Sequence, residues 1–255
     1  MFVDGIPQPT YLEKTNGETF RESAYMHYFA LSYRERKEFY VVFKPITGEI
    51  GERVGLIAGA ILRPDFMPTD VSEPFFFPFH NLITTFPAEI SINAQTQASF
   101  IADTDFELQP ILQEILDTEQ YQFEREGLSD WNLDDWLESR TRIGIMPYGS
   151  DIQLNYEGII TAKDGEVNLS VLIYGGKAIR SRITFFVNHQ QVAINGNAHF
   201  IEVEIETGKA LLLDVTLSLD HLEDFNALYV MMMATGNDFH DQDIFKARTV
   251  LLVNE

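Results

Sequence analysis

The stretch Phe200-Ile-Glu-Val-Glu-Ile-Glu206, followed by Thr207-Gly208-Lys209 and by Leu211 to Leu219, decides the fold class. Strict alternation puts Glu202, Glu204 and Glu206 on one face of a strand and Ile201, Val203 and Ile205 on the other. Leu213, Val215, Leu217 and Leu219 alternate in the same way with Asp214, Thr216 and Ser218. Each segment is a strand with one wet and one dry face. The Gly between them predicts that they form a hairpin.

Around this pair, Val167 to Tyr174, Arg182 to Val187, Leu228 to Met233 and Thr249 to Val253 read as further strands, as does Asp151 to Tyr156. Asp164-Gly165, Gly175-Gly176 and Asn195-Gly196 supply the turns. The spacing predicts an antiparallel β-sandwich over residues 141–255. Within it, Leu222-Glu-Asp-Phe-Asn-Ala-Leu-Tyr229 resembles the tyrosine corner of immunoglobulin-like and fibronectin-type sandwiches. Leu222 would be its corner leucine and Tyr229 its corner tyrosine, with one residue more between them than the motif has. The resemblance implies an immunoglobulin-like sandwich and no activity.

Residues 1–102 read as a β-rich N-terminal region. Glu38 to Lys44 and Pro87 to Asn93 have strand character, whereas Thr19 to Leu31 fits either a short helix or an aromatic strand. Gly51, Gly55 and Gly59 recur every fourth residue and are assigned a packing or turn role. Prolines at 64, 68, 74, 78 and 87 exclude a continuous helix around Phe75-Phe-Phe-Pro-Phe79. That aromatic run either packs in the core or offers a patch to a partner.

Residues 103–140 form an acidic connector. Twelve acidic residues between Asp103 and Glu138 face one basic residue, Arg125, a net of −11 and over half of the chain's −21. Leu108, Ile111, Leu112, Ile115 and Leu116 predict a helix from about Asp105 to Glu126 with Asp105 as cap, although Pro110 requires a shifted or irregular start. Ser129 or Asp130 would cap a second, short helix carrying Leu133, Trp136 and Leu137.

Charge and composition bound the function. With 39 acidic against 18 basic side chains, the chain repels phosphate backbones, so nucleic acid is not expected as a partner. The longest apolar stretch, Val54 to Leu62, is too short to span a membrane. The absence of cysteine excludes disulfides, thiolate metal sites and a cysteine nucleophile. It favours an extracellular or cell-surface setting, with the cytoplasm as the alternative. Phe2-Val-Asp-Gly-Ile-Pro7 has neither the basic start nor the apolar run of a signal peptide.

No catalytic residues emerge. The six histidines lack HxH, HxxxH or HExxH spacing, and neither a Gly-x-Ser-x-Gly elbow nor a phosphate-binding glycine loop occurs. No cofactor is expected beyond calcium. Asn237-Asp-Phe-His-Asp-Gln-Asp243 clusters oxygen ligands, with Asp238, Asp241 and Asp243 as the candidate metal ligands. The bland alternative for this loop is a solvated turn. Trp131 and Trp136 are the candidate binding residues, able to stack on a sugar or anchor a protein partner, or else to serve as core anchors. The functional expectation is a non-catalytic binding or surface module, or a subunit of an assembly. The alternative is a carboxylate-dependent, glycosidase-like hydrolase with its cleft between the two β regions.

Overall fold

The computed structural model describes residues 1–17, 19–25, 27, 32, 34–44, 50, 53–61, 82–91, 102–103, 109–110, 112–127, 132–138, 141–152, 159–175, 178–188, 190–235 and 245–255. The chain is mainly β. The N-terminal strands are β1 (Phe2–Val3), β2 (Ile6–Pro7), β3 (Thr10–Glu13), β4 (Thr19–Ala24), β5 (Tyr40–Phe43), β6 (Arg53–Ile61) and β7 (Leu82–Ser91). Then come β8 (Ala102–Asp103), β9 (Gln109–Pro110), α1 (Gln113–Glu126) and α2 (Leu133–Glu138). The sandwich strands are β10 (Thr141–Pro147), β11 (Ile159–Ala162), β12 (Glu166–Gly175), β13 (Ile179–Val187), β14 (Gln190–Gln191), β15 (Ala193–Ile194), β16 (Phe200–Ile205), β17 (Lys209–Ser218), β18 (Phe225–Ala234) and β19 (Phe245–Asn254).

Two sheets face each other. One runs β10-β12-β17-β15, with β9 also on β17. The other runs β11-β19-β18-β13-β16-β8, with β14 also on β13. Because ladder partners share a face, the inner layer follows from the register. Val167, Leu169, Val171 and Ile173 of β12 meet Ile183 and Phe185 of β13, Ile201, Val203 and Ile205 of β16, and Leu228, Val230 and Met232 of β18 in one buried core.

The strands and faces read from β16 and β17 are as expected, but their pairing is not. β16 pairs with β13, whereas β17 pairs with β12 in the opposite sheet. Thr207-Gly208 therefore turns an arch between sheets, and no hairpin forms. Gly208 has φ +71° and donates its N–H to the Gly175 carbonyl at 2.9 Å, and the Ala178 N–H donates to Thr207 Oγ1 at 3.1 Å. These bonds tie the β16–β17 crossing to the β12–β13 crossing beside it. Alternation fixes which face is dry, but an arch and a hairpin leave the same alternation in the sequence.

Both outer faces are covered at least in part. On the β13–β18 sheet, Phe186, Tyr229, Met231 and Met233 lie on the face opposite Ile183, Phe185, Val230 and Met232 and are buried as well. Phe2 of β1 and Tyr25 lie there: the Phe2 ring meets Phe186 edge-on at 6.4 Å and Tyr25 stands 6.2 Å from the same ring. Arg182 fixes the contact. Its Nη1 donates to Asp4 Oδ2 at 2.9 Å and its Nε to Glu202 Oε2 at 2.8 Å, while its guanidinium sits 5.0 Å over the Phe200 ring.

The other outer face receives the helices. Ile115 packs with Met146, Leu172, Tyr174 and Ala210, flanked by Leu112, Leu137 and Leu212. Helix α1 starts at Gln113, later than expected, because Gln109–Pro110 is drawn out as a strand along Lys209 and Ala210. The residue before it, Leu112, is extended and makes no side-chain cap bond, so Asp105 is not the cap. Gly127 ends the helix in the left-handed conformation, φ +64°. In α2 the cap is Asn132, whose Oδ1 accepts the Asp135 N–H at 2.9 Å, in place of Ser129 or Asp130.

In the N-terminal region β5 and β7 fall where the sequence predicts strands, and Thr19–Ala24 resolves as a strand. Of the glycine repeat, Gly55 and Gly59 lie in strand β6, opposite Glu89 and Thr85, and Gly51 lies outside the described residues. The segments Phe75 to Phe79 and Gln153 to Tyr156 lie outside the described residues. No helix among the described residues is long and apolar enough to cross a membrane.

Candidate functional site

Strand β10 ends at Pro147, and the next three residues turn sharply. The Ser150 N–H and Oγ–H both donate to the Pro147 carbonyl, at 3.2 and 2.8 Å, and Gly149 takes φ +71°. The Tyr148 N–H donates to the Asn168 carbonyl at 3.3 Å. This turn holds the Tyr148 ring outward, 63% exposed.

Strand β11 runs parallel to β19 and is terminal in its sheet, as β10 is in the other. Ile160 and Ala162 are buried, while Ile159 and Thr161 face out. A tight turn follows: Lys163 and Glu166 exchange backbone bonds of 2.8 and 3.0 Å, with Asp164 and Gly165 at φ +54° and +78°. Two consecutive positive φ values are what an Asp-Gly turn provides. Between these edges lies an open groove of about 620 Å³, lined among others by Tyr148, Ile159, Thr161, Lys163, Asp164 and Asn168.

From the groove, a polar strip continues over the outer face of β12 and β17. Thr216 Oγ1 donates to Asn168 Oδ1 at 2.7 Å, and Ser170 Oγ to Asp214 Oδ1 at 2.7 Å. Asn168 then keeps its amide N–H groups, and Asp214 its second carboxylate oxygen, for other partners.

Of the residues singled out by sequence, Trp136 is buried in the core. It is 3% exposed, its ring lies 5.9 Å from Phe123, and its Nε1–H donates to Glu119 Oε2 at 2.8 Å. Trp131, Asp238, Asp241 and Asp243 lie outside the described residues.

Glu119 stands apart from the other described acids of the connector. It is fully buried, and Arg142 reaches it from β10 with Nε to Oε1 at 2.7 Å and Nη2 to Oε2 at 3.4 Å. Arg142 Nη2 also donates to Gln122 Oε1 at 3.1 Å. The carboxylate thus ties α1, α2 and β10 together. Burial, with Glu119 and Glu138 adding to it, pushes the nearby Tyr174 hydroxyl up to about 12, and that hydroxyl donates to the Leu137 carbonyl at 3.3 Å. A signal for Glu119 existed in the spacing: Ile115, Glu119 and Phe123 are four residues apart and share one helix face.

No family model matches the chain, and no curated protein does. Among solved structures, a family 123 glycoside hydrolase from Clostridium perfringens aligns at 9% identity and TM-score 0.32, over 46% of this chain and 27% of the hydrolase. The N-terminal domain of PorA aligns at 13% identity and TM-score 0.28, over 45% of this chain and 98% of that domain. The chain thus spans about a quarter of the hydrolase's length.

Proposed function

We propose that the chain is a non-catalytic binding or assembly module, immunoglobulin-like in its sandwich, with the groove between β10 and β11 as its contact surface. The observation that carries this reading is the exposed Tyr148, held on a rigid turn where the terminal strands of both sheets meet. Loops positioned by a stiff sandwich are where such modules recognise partners. The order β10-β12-β17 facing β11-β19-β18-β13-β16, with a parallel terminal strand, supports the immunoglobulin-like assignment. A cysteine-free chain of this charge suits the cell surface or its exterior.

The hydrolase reading calls for a cleft between the N-terminal region and the sandwich. Where both are described, that junction is closed by Phe2 on Phe186 and by Asp4 on Arg182. The carboxylates of the groove, Asp164 and Glu166, are exposed on a turn.

The test places a photo-crosslinking amino acid at Thr161. Partner capture that disappears in Tyr148→Ala, at unchanged melting temperature, is the expected result. Turnover of aryl glycosides that disappears in Asp164→Asn or Glu166→Gln would overturn the reading.

A further inference from the structure

We infer that the groove between β10 and β11 takes a neutral saccharide chain, an inference that rests on the binding-module reading and names its ligand class. Three features of the groove point to this chemistry.

The first is Tyr148, at 63% exposure the most exposed large apolar side chain of the groove. An aromatic face presented on a fixed turn matches the flat C–H face of a pyranose ring, and its hydroxyl leaves one edge polar. Pro147 and the 38%-exposed Ile159 add apolar surface to the lining.

The second is the balance of donors and acceptors. Asn168 has given its Oδ1 to the Thr216 hydroxyl, so its amide points N–H donors at any further partner. Lys163 donates, and Asp164 and Glu166 accept. A polyhydroxylated ligand needs both kinds of group. An anionic ligand is disfavoured, because one lysine against two carboxylates leaves the groove at net −1 in a chain of −21.

The third is shape. At about 620 Å³ the groove is large enough for a sugar ring yet open to solvent, and the exposed Asn168 and Asp214 with the half-exposed Thr216 carry a polar surface on beyond it. Such a surface suits a chain that enters and leaves, whereas a small molecule needs enclosure on most sides.

The experiment is native affinity electrophoresis of the full chain in gels containing soluble β-1,4-glucan, xylan, galactomannan or alginate, followed by calorimetry with the hexasaccharide of whichever polymer retards it. At least one neutral polymer is expected to retard the chain, and alginate is not. Tyr148→Ala should weaken hexasaccharide binding about tenfold or more, Tyr148→Phe should stay within about twofold of wild type, and Asn168→Ala should lose about threefold. Tyr121→Ala, on the exposed face of α1, should bind as wild type. Retardation by no neutral polymer, equal retardation by alginate, or binding that survives Tyr148→Ala would overturn the saccharide assignment. If saccharides fail while the Thr161 crosslinker still captures a protein in a Tyr148-dependent way, the ligand class falls and the module reading stands. If both fail, both readings fall.

Discussion

Asn188 and Asn226 hold each other across the base of the sandwich: Asn188 Nδ2 donates to Asn226 Oδ1 at 3.0 Å. The same Oδ1 accepts the Glu223 N–H, Asn226 Nδ2 donates to the Glu223 carbonyl, and Asn188 Oδ1 accepts the Ala227 N–H. Asn188 itself takes φ +55°, a conformation that asparagine tolerates better than most residues. The pair bonds the turn after β13 to the corner before β18. Tyr229, the tyrosine that the sequence puts forward for this corner, is buried at 2% exposure opposite Phe186.

Asn226→Ala is expected to cost about 2 kcal/mol, because it strands buried backbone groups as well as the Asn188 amide. Asn188→Gly keeps the positive φ and should cost about 1 kcal/mol. Urea unfolding, with the midpoint falling at constant slope, checks both.

Glu119→Ala should destabilise by about 3 kcal/mol, since it removes the carboxylate that pairs with Arg142, 18% exposed, and accepts the Trp136 N–H, and leaves Arg142 only Gln122. Glu124→Gln with Glu126→Gln, on the exposed face of the same helix, should be neutral or slightly stabilising by relieving repulsion. Added salt should imitate the second change and not the first. Equal losses from the two sets would contradict the assignment.

Tyr174 sets an alkaline limit. Its hydroxyl is raised to about 12 in the folded chain against about 10 in the unfolded one. The folded state therefore holds this proton to higher pH. Its contribution to stability is whole below about pH 10 and is lost as the pH climbs to about 12. Tyr174→Phe should flatten that part of the stability profile, measured by denaturant midpoint against pH.

Gly5→Ala probes the docking of the N-terminal strands. Gly5 has φ +73°, and a Cβ there would stand 2.9 Å from Thr235 Cγ2 and 3.3 Å from Arg182 Cβ. A loss of about 2 kcal/mol is expected. It should be accompanied by earlier proteolysis before Ala24, read by limited digestion.

The strands of the sandwich were legible because they are one-sided: Ile201, Val203 and Ile205 against Glu202, Glu204 and Glu206 cannot be arranged in another way. Partners were not legible, because β16 and β17 look alike as a hairpin or as an arch. The start of α1, which Pro110 marked as shifted, was not placed, for a different reason. Leu108 to Leu112 has helical spacing, but pairing of Gln109 and Pro110 with the edge of β17 is a long-range choice that local periodicity does not record. The groove was illegible for the same reason, since Tyr148, Ile159 and Asn168 come together only when two sheet edges meet. Trp136 drew attention as an aromatic among acids, and its burial beside Glu119 explains that pattern without a ligand.

The bond between Asp4 and Arg182 joins residues 178 positions apart, and β8 and β9 likewise pair with strands about a hundred residues further on. On a ribosome adding about 5–20 residues per second, Asp4 emerges roughly 10–35 seconds before its partner exists. During that interval Phe2, Val3 and Ile6, all buried in the finished molecule, have no surface from β13 or β18 to cover them. These strands must be shielded by other parts of the chain or by a chaperone, and the sandwich, made after them, is the template on which they finally settle.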